Sequence, residues 1–338
     1  MRRLGNVIEQ IADADNLRLA FWKASKGKRG SIHVLRFRDD LDANVRRLRD
    51  QLLSGPIGWG PYHRFYVEDP KKRLICAPPL RDQVAHHAMM NVCEGEFERY
   101  QIYDSYACRK GKGLDAAVAR ARRFSRTGDW YLKLDVRRYF DSLHHVVLKM
   151  LLRRRFKDRR LLEILDGVID SYATTPGRGL PIGNLTSQFF ANHYLAVFDH
   201  FVKETLRCRR YVRYMDDFVI WSDCRAELCW IRREAEQFLG EELRLELKPV
   251  CLNACSRGMT FLGYRVFPGR LGLARRTRNR FRRKMRRYHA LYESGFWDEE
   301  ETARHVEPLL AFVRRAESIE YRKRILEETG LCPLARTA

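Results

Sequence analysis

The sequence predicts an α+β fold built round an antiparallel sheet of split βαβ connectivity, with helices packed on one side of it. Three observations carry this. Between Trp130 and Leu247 the patterns run strand, helix, strand, strand, helix, strand. Two short runs rich in aromatic and β-branched residues, 211–214 and 218–221, are joined tightly enough to form a hairpin. From Leu273 onward the periodicity is helical, and that region opens with the most basic stretch of the chain.

Taken in order, residues 1–60 are charged and helical in places, with basic clusters at Lys23, Lys26, Lys28 and Arg29 and again at Arg46, Arg47 and Arg49. Each cluster alone suits a solvated face as well as it suits RNA. Phe65-Tyr66-Val67 and Arg73-Leu74-Ile75-Cys76 pair as a hairpin across the turn Glu68-Asp69-Pro70-Lys71. Pro78-Pro79 ends it before a helix that begins near Arg81-Asp82. His86 and His87 on that helix face different sides, which argues against a shared metal. Trp130 to Asp135 reads as a core strand ending in a carboxylate, and Arg137 to Phe140 lead into a helix. A basic helical stretch follows (Arg153, Arg154, Arg155, Lys157, Arg159, Arg160), then a loop at Pro176-Gly177-Arg178-Gly179 and an aromatic-rich helix from Phe189. After the 211–221 hairpin come a helix over about 225–240, a strand at Leu243 to Leu247 and a hairpin around Phe261-Leu262-Gly263-Tyr264.

The length, 338 residues, and the apolar content of 45% support several packed subdomains with cores of their own. The net charge of +22 favours a polyanionic partner, nucleic acid or an anionic membrane. No uninterrupted apolar run reaches the length of a membrane span, and Met1-Arg2-Arg3-Leu4-Gly5 lacks the apolar core of a secretory signal, so the expected compartment is the cytoplasm. Nine cysteines lie scattered; Cys224/Cys229 and Cys251/Cys255 lack zinc-ligand spacing, and reduced, mostly buried thiols are the better reading.

The chemistry concentrates at Asp216-Asp217, flanked by Arg213-Tyr214-Met215 and Phe218-Val219-Ile220-Trp221. Two carboxylates at a hairpin tip amid that much apolar surface are costly unless a cation neutralises them, and oxygen ligands suit Mg²⁺. If the strand ending at Asp135 lies beside this hairpin, three carboxylates converge at one sheet edge. Two divalent ions bridged by them would relieve the repulsion and form an apparatus for in-line phosphoryl transfer. Asp135 and Asp216 are then the bridging ligands, and Asp217 the auxiliary.

Read together, these segments from about residue 62 to residue 267 resemble the palm motifs of reverse transcriptases, in order. Leu134-Asp135-Val136-Arg137-Arg138-Tyr139-Phe140-Asp141 resembles the first catalytic motif and Tyr214 to Asp217 the second. Arg81 to His87, Asp104-Ser105-Tyr106-Ala107 and Arg109-Lys110-Gly111-Lys112-Gly113 resemble the fingers of bacterial and intron-type enzymes. The resemblance implies a right-hand polymerase with an antiparallel palm sheet, α/β fingers and a helical thumb. An N-terminal extension covers 1–29, fingers 30–110 and 145–178, palm 111–144 and 179–267, and thumb 268–338. It also implies an RNA-directed DNA polymerase that uses two Mg²⁺ ions, a template RNA and RNA/DNA duplex, and deoxynucleoside triphosphates.

The subfamily signal is Ile182-Gly183-Asn184-Leu185-Thr186-Ser187-Gln188. Most reverse transcriptases carry Gln before that glycine and Pro after the serine; Ile182 and Gln188 here resemble the enzymes of diversity-generating retroelements, which misincorporate opposite template adenines. A Gln at 182 can hydrogen-bond the sugar, whereas a β-branched aliphatic supplies only shape, which weakens selection against mispairs. A neutral, volume-conserving core swap is the alternative. That subfamily implies a bacterial or phage-encoded enzyme with a small basic helical-bundle accessory protein. Phe140 resembles the aromatic gate against a 2′-hydroxyl, though a core aromatic would suit the position as well. Lys72 and Arg73 resemble the cations that grip the triphosphate, with Lys71 as an unranked neighbour. Lys248 is placed to protonate the departing pyrophosphate, or is a solvated lysine beside Pro249.

Nine of the thirteen positions from Arg275 to Arg287 are basic: Arg275, Arg276, Arg278, Arg280, Arg282, Arg283, Lys284, Arg286 and Arg287. On a helix they leave Phe281, Met285 and Tyr288 as a narrow apolar stripe. Such a helix suits a thumb that tracks the phosphates of an A-form duplex better than a membrane surface. An intron-encoded or phage-defence enzyme is the alternative within the class, and a catalytically silent RNA-binding scaffold the alternative outside it. The chain ends soon after the thumb helices without a Cys/His-rich tail, which weighs against a complete intron enzyme. The three intact carboxylates weigh against silence.

Overall fold

A computed structural model describes residues 3–55, 57–68 and 71–330. Helices α1 (Ile8–Ile11), α2 (Ala14–Ala24), α3 (Ile32–Asp39) and α4 (Leu41–Ser54) lead into the hairpin β1 (His63–Glu68) and β2 (Lys72–Ala77). The expected turn residues Asp69 and Pro70 lie outside the described residues. Then follow α5 (Leu80–Tyr100), α6 (Leu114–Thr127), β3 (Trp130–Asp135), α7 (Tyr139–Ser142), α8 (His145–Arg153), α9 (Arg159–Asp170) and α10 (Leu185–His200). The chain continues as β4 (Tyr211–Tyr214), β5 (Asp217–Ser222), α11 (Arg225–Glu241), β6 (Cys251–Ala254), β7 (Met259–Phe261), β8 (Tyr264–Val266) and β9 (Leu271–Leu273), and ends in α12 (Arg275–Glu293), α13 (Glu299–Arg314) and α14 (Ile319–Glu328).

The central sheet has the order β4-β5-β3-β6, all antiparallel, with Asp135 opposite Asp217 in the β3–β5 register. Strand alternation divides its side chains between two cores. Leu132, Leu134, Phe218 and Ile220 enter one core with α5, α10 and α11. Tyr131, Val212, Val219 and Trp221 enter the other with α6, the three-stranded sheet β7-β8-β9 and the C-terminal helices. The sheet is thus covered on both faces, not on one as expected, and the unbroken apolar run Phe218 to Trp221 is what two-sided burial requires. The N-terminal helices join the first core: α2 runs against α5 through Leu17, Ala20 and Phe21, and Asn16 Nδ2 donates to the Ala88 carbonyl at 3.2 Å.

Three further expectations are corrected. Residues 243–247 do not form a strand; Tyr194 Oη donates to the Leu243 carbonyl, Leu247 makes only an isolated bridge to Val136, and the edge strand is β6. The basic stretch 153–160 is not one helix, because Phe156 turns fully into the core beside a bridge to Leu4 and breaks it into α8 and α9. Leu273 closes a strand, and the helix starts at Arg275. Among the described residues no helix is long and apolar enough to cross a membrane.

Candidate active site

The β4–β5 hairpin turns through Met215-Asp216, with Met215 at φ 54°, a left-handed conformation that costs a side-chain-bearing residue. The register sets Asp217 against Asp135 at the ends of their strands, and Val136 N donates to the Asp216 carbonyl at 3.4 Å. Two lysines reach these carboxylates. Lys133, two residues before Asp135 and therefore on its face of the sheet, donates from Nζ to Asp217 Oδ2 at 3.0 Å and to the Thr260 carbonyl at 2.9 Å. Lys248 donates from Nζ to Asp135 Oδ1 at 2.7 Å, and its amide donates to the Asp135 carbonyl at 2.8 Å. The sequence reading missed Lys133, although the period of two placed it beside the acids.

Burial pushes Asp217 up to about 6 against the pull of Lys133, and burial followed by the neighbouring Asp135 charge raises Asp216, with Lys248 and Arg73 opposing. Asp217 Oδ1 is buried and has no hydrogen-bond partner. Among the described residues no group of three or more His, Cys, Asp or Glu side chains is arranged to hold a metal as it stands, and lysines engage Asp135 and Asp217. The donor set nevertheless fits a hard cation: oxygen-only ligands, an unsatisfied carboxylate oxygen, and carboxylates destabilised in their charged form.

The loop before α10 packs on the first hairpin. Cys76 N donates to the Ile182 carbonyl at 2.8 Å, and Gly183 sits at φ 111° with its backbone so near β2 that a Cβ would lie 2.7 Å from Ile75 Cγ2. Ile182 is half-buried, and Gln188 is exposed on α10. Behind them, buried Asn184 accepts from His86 Nδ1 at 2.9 Å, and its Nδ2 donates to Tyr62 Oη at 3.3 Å. Phe140 is half-buried, with its carbonyl accepting from Leu180 N at 2.8 Å. Strand alternation separates the two candidate triphosphate ligands: Lys72 lies over the Tyr66 ring at 4.4 Å, while Arg73 faces the cleft and is felt by Asp216.

That cleft, about 1030 Å³, is walled by Lys71 and Arg73 of the hairpin, Leu262 and Gly263 of the β7–β8 turn, and Arg276, Arg280, Arg282, Arg283 and Arg286 of α12. Arg275 and Arg278 line a second depression on another side of the helix. Arg287 is exposed, whereas Arg280 and Lys284 are half-buried. Phe281, Met285 and Tyr288 are buried, so the apolar stripe fixes which arginines face the cleft.

Residues 68–266, more than half of the chain, match the family of reverse transcriptases, RNA-dependent DNA polymerases. The chain belongs to that family and is an RNA-directed DNA polymerase. It is similar to protein YkfC of Escherichia coli (strain K12), 26% identical over 306 residues that cover 76% of this chain and 80% of the relative. It is also similar to the group II intron-encoded protein LtrA of Lactococcus lactis subsp. cremoris, 22% identical over 310 residues, 70% of this chain and 52% of LtrA. The putative COX1/OXI3 intron 1 protein of Saccharomyces cerevisiae is 22% identical over 212 residues, 59% of this chain and 25% of that protein. The chain therefore spans about half or less of the two intron proteins. Members of the family act on template RNA and deoxynucleoside triphosphates and generally use divalent metals such as Mg²⁺.

Proposed function

We propose that this reverse transcriptase makes adenine-mutagenic cDNA from the template-repeat RNA of a diversity-generating retroelement, by nucleotidyl transfer at Asp135, Asp216 and Asp217. The observation that carries the mutagenic reading is Ile182: its backbone is pinned to β2, and its aliphatic side chain offers the nucleotide shape but no hydrogen bond.

In this reading, residues 30–110 and 145–178 are fingers, 111–144 and 179–267 palm, and 268 onward thumb. Asp135 and Asp216 would hold two Mg²⁺ ions, with Asp217 auxiliary, and the ions would supply activation of the primer 3′-hydroxyl and neutralisation of the leaving pyrophosphate. Lys133 and Lys248, which donate to Asp217 and Asp135, would give up these carboxylates to such a charge, and Lys248 is the group placed to protonate pyrophosphate. Arg73 grips the triphosphate from the hairpin, Phe140 supports the sugar with Ile182 and Gly183, and Gln188 borders the same loop. The arginines of α12 hold the duplex phosphates across the cleft. An oligomer of a small basic helical-bundle protein and a structured RNA are the partners in this reading.

Copying a defined RNA with and without the proteins encoded beside it, and sequencing the cDNA, tests the proposal. Errors concentrated opposite adenines are expected; errors spread evenly over the four template bases would overturn it. Asp216→Asn should abolish metal-dependent synthesis while RNA binding persists, and full activity would remove the site assignment. The intron-protein relatives favour a second reading, an intron-encoded enzyme, for which the even error spectrum is the expected result.

A further inference from the structure

One of the largest fully buried side chains in the molecule is not apolar. Arg213, immediately before the Tyr214–Asp217 turn, is wholly buried, as is its partner Asp199 on α10. Its Nε donates to Asp199 Oδ1 at 2.8 Å and Oδ2 at 2.9 Å, and Nη2 donates to Oδ2 at 2.7 Å. Tyr211 Oη donates to the same carboxylate at 2.7 Å. The outer nitrogens reach further: Nη1 donates to Asn192 Oδ1 at 3.1 Å and to the Met215 carbonyl at 3.2 Å, and Nη2 to Gln101 Oε1 at 3.1 Å and the Asn192 carbonyl at 3.3 Å.

An ion pair this deep is weak support for stability, because desolvation offsets its attraction. Its geometry has a different use. Met215 stands in a left-handed conformation, and such a residue persists only where its surroundings over-determine it. The Nη1–Met215 carbonyl bond supplies that restraint one residue before Asp216. Arg213 is itself held by backbone, its amide donating to the Asp104 carbonyl at 2.9 Å and its carbonyl accepting from Tyr106 N at 3.0 Å. Asn192 lies on α10, the helix that follows the Ile182-Gly183 loop, and its Nδ2 donates to the Ala107 carbonyl at 2.9 Å.

We infer that Arg213 is a positioning residue: through the Met215 carbonyl, and braced by Asp199, Asn192 and Gln101, it fixes the turn that presents Asp216 and Asp217 to the reaction. Only a planar guanidinium reaches acceptors on four residues in fixed directions, so lysine keeps the charge but cannot hold the turn. The inference rests on the assignment of those two aspartates as the reacting centre.

The test is Arg213→Lys in the full chain, with steady-state kinetics, the Mg²⁺ concentration giving half-maximal rate, and amide exchange in the absence of metal. We expect kcat to fall at least about tenfold with KM for the nucleotide within about threefold, a pattern of lost positioning rather than lost ground-state binding. The half-activating Mg²⁺ concentration should rise, and exchange at residues 215–217 should accelerate while α11 and β6 stay protected. Unchanged exchange at the turn, or loss of protection throughout with wild-type Mg²⁺ dependence in the surviving activity, would overturn the inference. If Arg213→Lys does not fold, Gln101→Leu removes one acceptor and leaves the ion pair intact. The same pattern at smaller amplitude is expected there, and wild-type exchange and Mg²⁺ response would count against the role. Asp216→Asn separates the two levels: if it retains synthesis the site assignment fails, whereas if it is dead and Arg213→Lys is wild-type, only the positioning role fails.

Discussion

At position 217 burial and charge pull one carboxylate in opposite directions, and burial wins. Asp217 is raised from 3.8 to about 6 despite the lysine 3.0 Å away. The folded protein therefore holds a proton through the window from about pH 4 to 6 in which the unfolded chain has lost it. Stability falls as pH rises through that window, and the metal-free protein carries the whole cost above about pH 6. Asp217→Asn should accordingly stabilise the metal-free protein near pH 7.5 by up to about 3 kcal/mol, seen as a higher melting temperature, with the gain vanishing toward pH 4. An equal gain at both pH values in a thermal-shift series would mean packing, not charge, is responsible. Ile182 is the other decisive single position: Ile182→Gln restores a hydrogen-bonding group and should lower errors opposite template adenines, read by sequencing cDNA, and an unchanged spectrum would remove the fidelity argument.

Among the elements, α12 was the most legible and the edge of the central sheet the least. Its stripe of Phe281, Met285 and Tyr288 is buried as the spacing predicts, because a helix so basic has one apolar face to offer. Replacing Arg276, Arg282, Arg283 and Arg286 by Gln should reduce the salt slope of duplex binding by up to about 3.6, since each of the four lost phosphate contacts lowers it by about 0.9. An unchanged slope in binding titrations would place the duplex elsewhere. By contrast, the alternation in Leu243 to Leu247 looks like a strand, yet Leu243 and Leu245 are buried and the backbone bonds to the Tyr194 hydroxyl, to the Leu239 carbonyl on α11 and to Arg137 N. Periodicity reports which residues are buried, not which backbone pairs with which.

For the whole molecule, the four-stranded sheet is a partition between two cores. Phe218 and Ile220 anchor one, and Val219 and Trp221 the other, with Trp221 Nε1 donating to Ser125 Oγ at 3.0 Å. Trp221→Ala should therefore cost about as much as Phe218→Ala, each on the order of 3–5 kcal/mol by denaturant unfolding. A cost under about 1 kcal/mol at Trp221 would mean that the second face is solvated, because surface substitutions stay that small. The second core also links α6 and the sheet to the C-terminal helices, so the cleft wall formed by α12 is held by the same packing that holds the carboxylate strands.

Legible in the residues alone were the strand ending at Asp135, the hairpin turn carrying Asp216-Asp217, and the basic helix with its apolar stripe. Those follow from local periodicity, turn length and residue type. Folding in three dimensions set the burial of the sheet on both sides, turned Arg73 rather than Lys72 to the cleft, and brought Lys133 to Asp217 and Arg213 to the Met215 carbonyl. Each of these depends on which face of a strand meets which neighbour. Asp199 and Asn192 illustrate the reason: nothing local marks them, and they matter because folding brings α10 to a guanidinium that must share its donors between a buried carboxylate and a strained turn.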